Sequence, residues 1–165
     1  MSEDLTFTIC VRLRRGEIAW LQLLLERGAG VNGRTADGRT PLMWATVGGN
    51  IEALRFLLEH GAEVNAICPR GETALIRAAS YGHAEAVRLL IEHGAEVNAR
   101  ADDGTTALMR TCSALDPLGA AIQLIKARAD VHAQAQDGSS AATWAKNRSN
   151  PEPLLSLLQQ AGAKS

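Results

Sequence analysis

Gly71-Glu72-Thr73-Ala74-Leu75-Ile76-Arg77-Ala78-Ala79, continued by Tyr81-Gly82-His83 and closed by Glu92-His93-Gly94-Ala95-Glu96-Val97-Asn98, is the stretch whose reading decides the fold. Thr73 has the side chain of a helix N-cap, whose hydroxyl accepts a hydrogen bond from a first-turn amide. The Ala- and Leu-rich residues that follow lose little on entering a helix. Gly82-His83 turns the chain back. Val87, Leu90 and Ile91 are then spaced for one buried face of a second helix. Gly94 suits the left-handed residue that ends it. The first helix is too short to be stable by itself in water.

The same unit recurs on both sides. Gly38-Arg39-Thr40-Pro41-Leu42 lies 33 residues before Gly71-Glu72-Thr73-Ala74-Leu75, and Gly104-Thr105-Thr106-Ala107-Leu108 lies 33 after it. A weaker copy starts one residue late at Gly138-Ser139-Ser140-Ala141. Pro41 suits a first helical position, where its missing N–H would have been unpaired anyway. That helix is expected to run from about Pro41 to Gly48, with Leu54, Leu57 and Leu58 forming the buried face of the next. The closing segment is periodic too. Glu26-Arg27-Gly28-Ala29-Gly30-Val31-Asn32 and Glu59-His60-Gly61-Ala62-Glu63-Val64-Asn65 precede Glu92 to Asn98, and worn forms follow at Ala127-Arg128-Ala129-Asp130-Val131-His132 and Ala161-Gly162-Ala163. A helix pair of this size buries its apolar face only against neighbours, so stacking is obligatory.

With these anchors the sequence resembles the ankyrin-repeat family over about residues 2–163. The resemblance implies an all-α ankyrin-repeat solenoid of five helix-turn-helix repeats with β-hairpin-like loops. It divides a single domain, 1–165, into an N-terminal capping repeat 2–32, internal repeats 33–65, 66–98 and 99–132, and a C-terminal capping repeat 133–163. A 34-residue tetratricopeptide array fits poorly, since it has neither the Gly-x-Thr-Pro start nor the Gly-Ala-x-Val-Asn close. The family's usual histidine after Thr-Pro-Leu is replaced by Met43, Ile76, Met109 and Ala142, which exchanges a polar tie for apolar packing. In the third internal repeat, Ser113-Ala114-Leu115-Asp116-Pro117 has lost the Gly-His turn and gained a residue. Asp116-Pro117 reads as an N-cap and helix start. Arg128 stands where the capping glycine belongs.

Composition narrows the function. A formal charge of −1 gives no support to binding through nucleic-acid phosphates or an anionic membrane surface, and no apolar run approaches the roughly 20 residues of a membrane span. The opening residues Met1 to Asp4 lack the pattern of a signal peptide. Cys10, Cys68 and Cys112 are an odd, widely spaced set, which points to free thiols and a cytoplasmic location. No phosphate-binding loop, zinc helix or nucleophile elbow is present. His60 and His93 share one repeat position and are read as making helix-end hydrogen bonds. The expectation is therefore a monomer with no catalytic, cofactor or metal site.

In ankyrin-repeat proteins the concave face, made of hairpin tips and the exposed side of the first helices, binds a partner protein. Carried over by position, the tips contribute Asp37, Arg39, Arg70, Glu72, Asp102, Asp103 and Asp137, and the helix exits contribute Tyr81 and Arg148. Trp44, Arg77, Arg110 and Trp144 occupy one repeat position and form a column of residue types that dominate interface energies. Mixed tip charges predict a polar, orientation-specific contact. The function expected is that of an adaptor or scaffold, with a dedicated inhibitor or regulatory subunit of a partner enzyme as the alternative. Asn65 and Asn98 are expected to hydrogen-bond within their loops. The resemblance also places them where an asparaginyl hydroxylase modifies animal members.

Overall fold

The computed structural model describes residues 21–23, 26–28 and 30–163. Most of the expected N-terminal repeat, 2–32, lies outside the described residues. From there on, helices alternate in pairs: α1 (Pro41–Gly48) with α2 (Ile51–Glu59), α3 (Ala74–Tyr81) with α4 (Ala84–Glu92), α5 (Ala107–Thr111) with α6 (Leu118–Lys126), and α7 (Ala141–Lys146) with α8 (Glu152–Gln160). Helices α1, α3, α5 and α7 contact one another in sequence as one row. Helices α2, α4, α6 and α8 form a second row behind it.

The caps form as the sequence predicts. Thr40, Thr73, Thr106 and Ser140 each accept a hydrogen bond from the amide three residues on, at 3.3–3.4 Å. Gly49 and Gly82 close α1 and α3 in the left-handed conformation. Between the rows lies a continuous apolar core that includes Leu42, Leu54, Leu57, Leu75, Leu89, Leu90, Leu108 and Leu124. Met43, Ile76, Met109 and Ala142 are buried in it, so the positions that usually carry histidine do pack as apolar residues. Leu89 is fully buried where one-face spacing singled out Val87, Leu90 and Ile91, and Ile91 is only half-buried. The reason is that α4 touches α3, α2 and α6 and so buries more than one stripe.

Each pair of helices is preceded by a tight hairpin. The amides of Gly38, Gly71, Gly104 and Gly138 donate to the carbonyls of Thr35, Cys68, Ala101 and Ala135, and those four residues donate in turn to Arg39, Glu72, Thr105 and Ser139. This is a turn closed by a left-handed glycine, the geometry of a bulged three-residue hairpin loop. At Gly71, φ is +69°, and a Cβ would lie 2.7 Å from the Asp102 amide of the next hairpin, so the position has no room for a side chain.

Successive repeats are fastened in two places. At the tips, the Asp102 amide donates to Arg70 at 3.0 Å and Gln136 donates to Asp103 at 2.9 Å. The position that precedes these by one repeat is Pro69, which has no N–H to give. Arg34 Nη1 instead donates to the Ile67 carbonyl across that seam, at 2.7 Å, and Arg100 makes the equivalent contact with Gln134. Where the second helices close and the hairpin segments begin, the amide of Asn32 bridges Gly61 O and Glu63 N, Asn65 bridges Gly94 O and Glu96 N, and Asn98 bridges Arg128 O and Asp130 N. The asparagines thus make loop hydrogen bonds, and they make them between repeats.

The third internal repeat departs where its sequence does. Helix α5 is only five residues long and ends at Cys112 in right-handed geometry, with no glycine to reverse the chain. Asp116 does not supply the expected cap. Pro117 takes up helical geometry at the cap position, with no side-chain bond there, and accepts the first α6 hydrogen bond from Ala121. At the end of α6, Arg128 keeps the left-handed conformation of Gly61 and Gly94, with φ of +63°.

An L-residue held at positive φ is strained by roughly 1 kcal/mol relative to glycine. Arg128→Gly is therefore expected to stabilise the protein by about 1 kcal/mol, read as a higher midpoint in urea unfolding. Gly94→Ala should lower the midpoint by a similar amount.

Candidate functional site

The hairpins and the first-helix row form one face, and the geometry of that face follows from short local ties. Asp37, Asp103 and Asp137 stand just before the turn glycines. Asp103 Oδ1 accepts from the Thr105 amide at 2.9 Å and the Thr105 hydroxyl at 2.6 Å, and Asp137 repeats both bonds with Ser139. Asp37 accepts from the Thr35 hydroxyl and pairs with Arg39 at 2.8 Å. Burial acts to raise the Asp37 and Asp103 carboxyls, but the Thr35 hydroxyl with Arg39, and the Thr105 hydroxyl and amide with Arg110, outweigh it. Both lie below the usual carboxylate range. The Ser139 hydroxyl and amide hold Asp137 low as well. Arg70 occupies this repeat position in the second internal repeat, and its guanidinium has no ion-pair partner among the described residues.

Behind the tips runs the column. Trp44 donates its indole N–H to Thr35 Oγ1 at 3.4 Å and carries the Arg39 guanidinium over its ring, 5.4 Å from the centroid. Trp144 donates to Ser139 Oγ at 2.7 Å and carries Arg110 at 5.9 Å. Arg110 also reaches Asp103 at 2.8 Å and Thr105 at 3.0 Å. Both tryptophans and Arg110 are half-buried.

Arg77 differs. It is 8 % exposed, pairs with Glu72 at 3.0 Å, and leaves its buried Nε without a hydrogen-bond partner. Glu72 in turn lies 3.9 Å from Arg110, so one carboxylate links the arginines of two repeats. Arg77 thus offers little surface of its own and holds Glu72 in place. The sequence placed these groups in one column but could not show which arginine faces inward. Thr35, nine residues before Trp44, was not singled out from sequence, and only the hairpin geometry reveals it as the indole's acceptor.

Tyr81 and Arg148 also share a repeat position and have different surroundings. Tyr81 is 46 % exposed and stacks on His83, ring centroids 6.0 Å apart. Arg148 donates to the carbonyls of Cys112 and Ala114, staying the irregular turn of the third internal repeat. Leu115, at the crest of that turn, is fully exposed. Asp102, on the tip beside Arg70, is exposed and makes no ion pair among the described residues.

Two comparisons with family models bear on this arrangement. Residues 6–68 match the model described as ankyrin repeats (3 copies), and residues 48–109 match that described as ankyrin repeats (many copies). The chain belongs to the ankyrin-repeat family. None of the curated proteins compared with it matches. Ankyrin-repeat domains are generally protein–protein interaction modules and typically carry no catalytic centre.

The remaining chemistry-bearing residues of this ankyrin-repeat chain are tied into its framework. His60 Nδ1 lies 2.8 Å from the Phe56 carbonyl and His93 Nδ1 lies 2.9 Å from that of Leu89, one turn back in each helix. Among the described residues, no cluster of His, Cys, Asp or Glu is arranged to hold a metal ion. Cys68 and Cys112 are buried free thiols, and burial pushes Cys112 up to about 11, so it stays protonated at neutral pH. No helix of the described residues is long and apolar enough to cross a membrane. Cys10 lies outside the described residues.

Two outcomes are expected. The depressed carboxyls Asp37, Asp103 and Asp137 stabilise the fold above the unfolded-state value near 4, and that contribution is lost as pH falls through the lower folded values. Asp103→Asn should therefore be less stable than wild type at pH 7, with the difference closing below about pH 4, as followed by circular dichroism. Glu72→Gln leaves Arg77 buried without its counter-charge and should cost about 3 kcal/mol. The double variant Glu72→Gln/Arg77→Met should regain most of that in the same urea titration.

Proposed function

We propose that this ankyrin-repeat chain is a non-catalytic adaptor that binds a partner protein through the face made by its hairpin tips and first helices. The observation that supports this most directly is the preorganisation of that face. Its tips are fixed by repeated turn bonds and by backbone bonds from Asp102 to Arg70 and from Gln136 to Asp103. Trp44, Arg110 and Trp144 are held by named partners while remaining half-exposed. A surface already ordered loses little conformational entropy on binding. Residues that combine a large apolar area with a polar handle are those that anchor interfaces.

Within this reading Arg39, Arg70, Tyr81, Asp102 and Trp44 contact the partner directly, with Asp37, Asp103 and Asp137 fixing the tips. Glu72 and Arg77 position the column, and Arg148 presents the Leu115 turn. The two buried thiols accord with a monomer working in a reducing cytoplasm.

The test uses the purified chain as bait in lysate of its source, beside two variants shown to be folded by circular dichroism. Arg70→Glu/Tyr81→Ala alters the tip face, and Arg88→Ala alters the second-helix row, where Arg88 pairs with Glu85 and Glu92. A protein retained by wild type and Arg88→Ala but lost by the tip variant is the expected result. Retention by all three, or loss only with Arg88→Ala, would remove the tip face from the reading. Inhibition of a captured enzyme on titration with wild-type chain would make the chain a regulatory subunit instead of an adaptor.

A further inference from the structure

A groove of about 400 Å³ opens on the tip face between repeats 33–65 and 66–98, lined by Arg39, Trp44, Val47, Arg70, Tyr81 and the Glu72–Arg77 pair, with Ser80. Its charges are unequal. Three guanidiniums line it and one carboxylate, Glu72, which Arg77 holds at 3.0 Å and Arg110 approaches at 3.9 Å. Arg39 is paired with Asp37 just outside the lining. Arg70 is exposed and has no carboxylate within 4.0 Å among the described residues. It also lines the neighbouring cleft of about 290 Å³, where Asp103 is engaged by Arg110.

Beside these charges the lining offers Val47, the Trp44 and Tyr81 rings and the Ser80 hydroxyl. Trp44 is fixed by its indole hydrogen bond and by Arg39, while Tyr81 stands on His83 with nearly half its surface in water. A cationic side chain entering this groove meets Arg70 and Arg39, with Arg77 buried behind them against Glu72. A carboxylate meets an uncommitted guanidinium able to bind it with two parallel N–H bonds, with Arg39 nearby. The same carboxylate is kept from Glu72 by the two arginines already engaged there.

We propose that the groove receives an acidic linear segment of the partner protein, with a carboxylate on Arg70 and an adjoining aromatic or aliphatic side chain against Trp44, Val47 and Tyr81. This rests on the tip-face reading above and adds the chemistry of what that face recognises. An extended segment fits because the groove crosses a seam between repeats and is walled by fixed groups on both sides. Electrostatic matching of this kind sets orientation and rejects basic sequences more than it adds raw affinity.

The full chain, immobilised, is used to select from a displayed library of random linear peptides. The most enriched peptide is then titrated in free solution by fluorescence anisotropy. The expected result is enrichment of Asp or Glu beside an aromatic or aliphatic residue. Affinity should fall about tenfold or more with Arg70→Glu, be partly restored when the peptide's acid is changed to Lys, and be unaffected by Arg88→Ala. Peptides that lose affinity with Tyr81→Ala but show no acidic preference and ignore Arg70→Glu would overturn this proposal and leave the tip face standing. Peptides lost only with Arg88→Ala would overturn both. Enrichment of no peptide would overturn the linear-segment recognition alone, since the bait experiment tests the face independently.

Discussion

No described repeat of this chain has an interior of its own. A helix pair of about 20 residues presents apolar groups on more than one side, and only the next pair removes them from water. Everything else in the structure depends on that constraint. It sets the burial of Leu89 beside Leu90, and it explains why the usual histidine position can be filled by Met43, Ile76 and Met109 without opening the core. It also requires repeats to meet in a fixed register. The asparagine bridges provide that where the second helices close, each amide satisfying a carbonyl and an N–H of the following repeat.

The same register brings like positions of different repeats into one line, which is how a binding surface arises from a repeated motif. Local turn chemistry fixes where each tip points, and side chains that are free to differ decide what the tips carry. Asp37, Arg70, Asp103 and Asp137 hold one position, yet the three carboxylates, though exposed, are each tied to a neighbouring hydroxyl or guanidinium and Arg70 is not. A change of sign at one residue therefore converts a structural turn group into an available one without altering the backbone that bears it.

The sequence carried the fold because its signals are local. Thr73 before an Ala-Leu-Ile run, Gly82 in the middle and Gly94 at the close each act within one turn of chain, and the 33-residue spacing multiplies them. The positive φ of Arg128 was legible for the same reason. What the sequence did not reveal depends on contacts between repeats. It could not show that Arg77 is turned in against Glu72 while Arg110 stays half-exposed, because both follow the same motif and differ only in what neighbouring tips offer. Nor could it show that Asp116 would leave α6 uncapped, since an inserted residue changes where the backbone arrives. The residues of the binding face were legible as positions and not as roles.

The three tip seams of the described array are joined differently. Between 33–65 and 66–98, Pro69 removes the main-chain bond at the tip, where the Arg34 side chain reaches across instead, and His83 Nε2 lies 3.4 Å from the Val47 carbonyl beside the groove. At the next seam the main-chain bond from Asp102 is present, but Ile67 stands where an arginine would be needed. At the last seam both are made, by Gln136 and by Arg100. The ties from one tip to the next thus increase along the chain, and the groove at Arg70 lies over the seam without a main-chain tip bond. The register of that mouth therefore depends on the Arg34 guanidinium, a group outside the groove's lining, where the later seams rely on peptide hydrogen bonds.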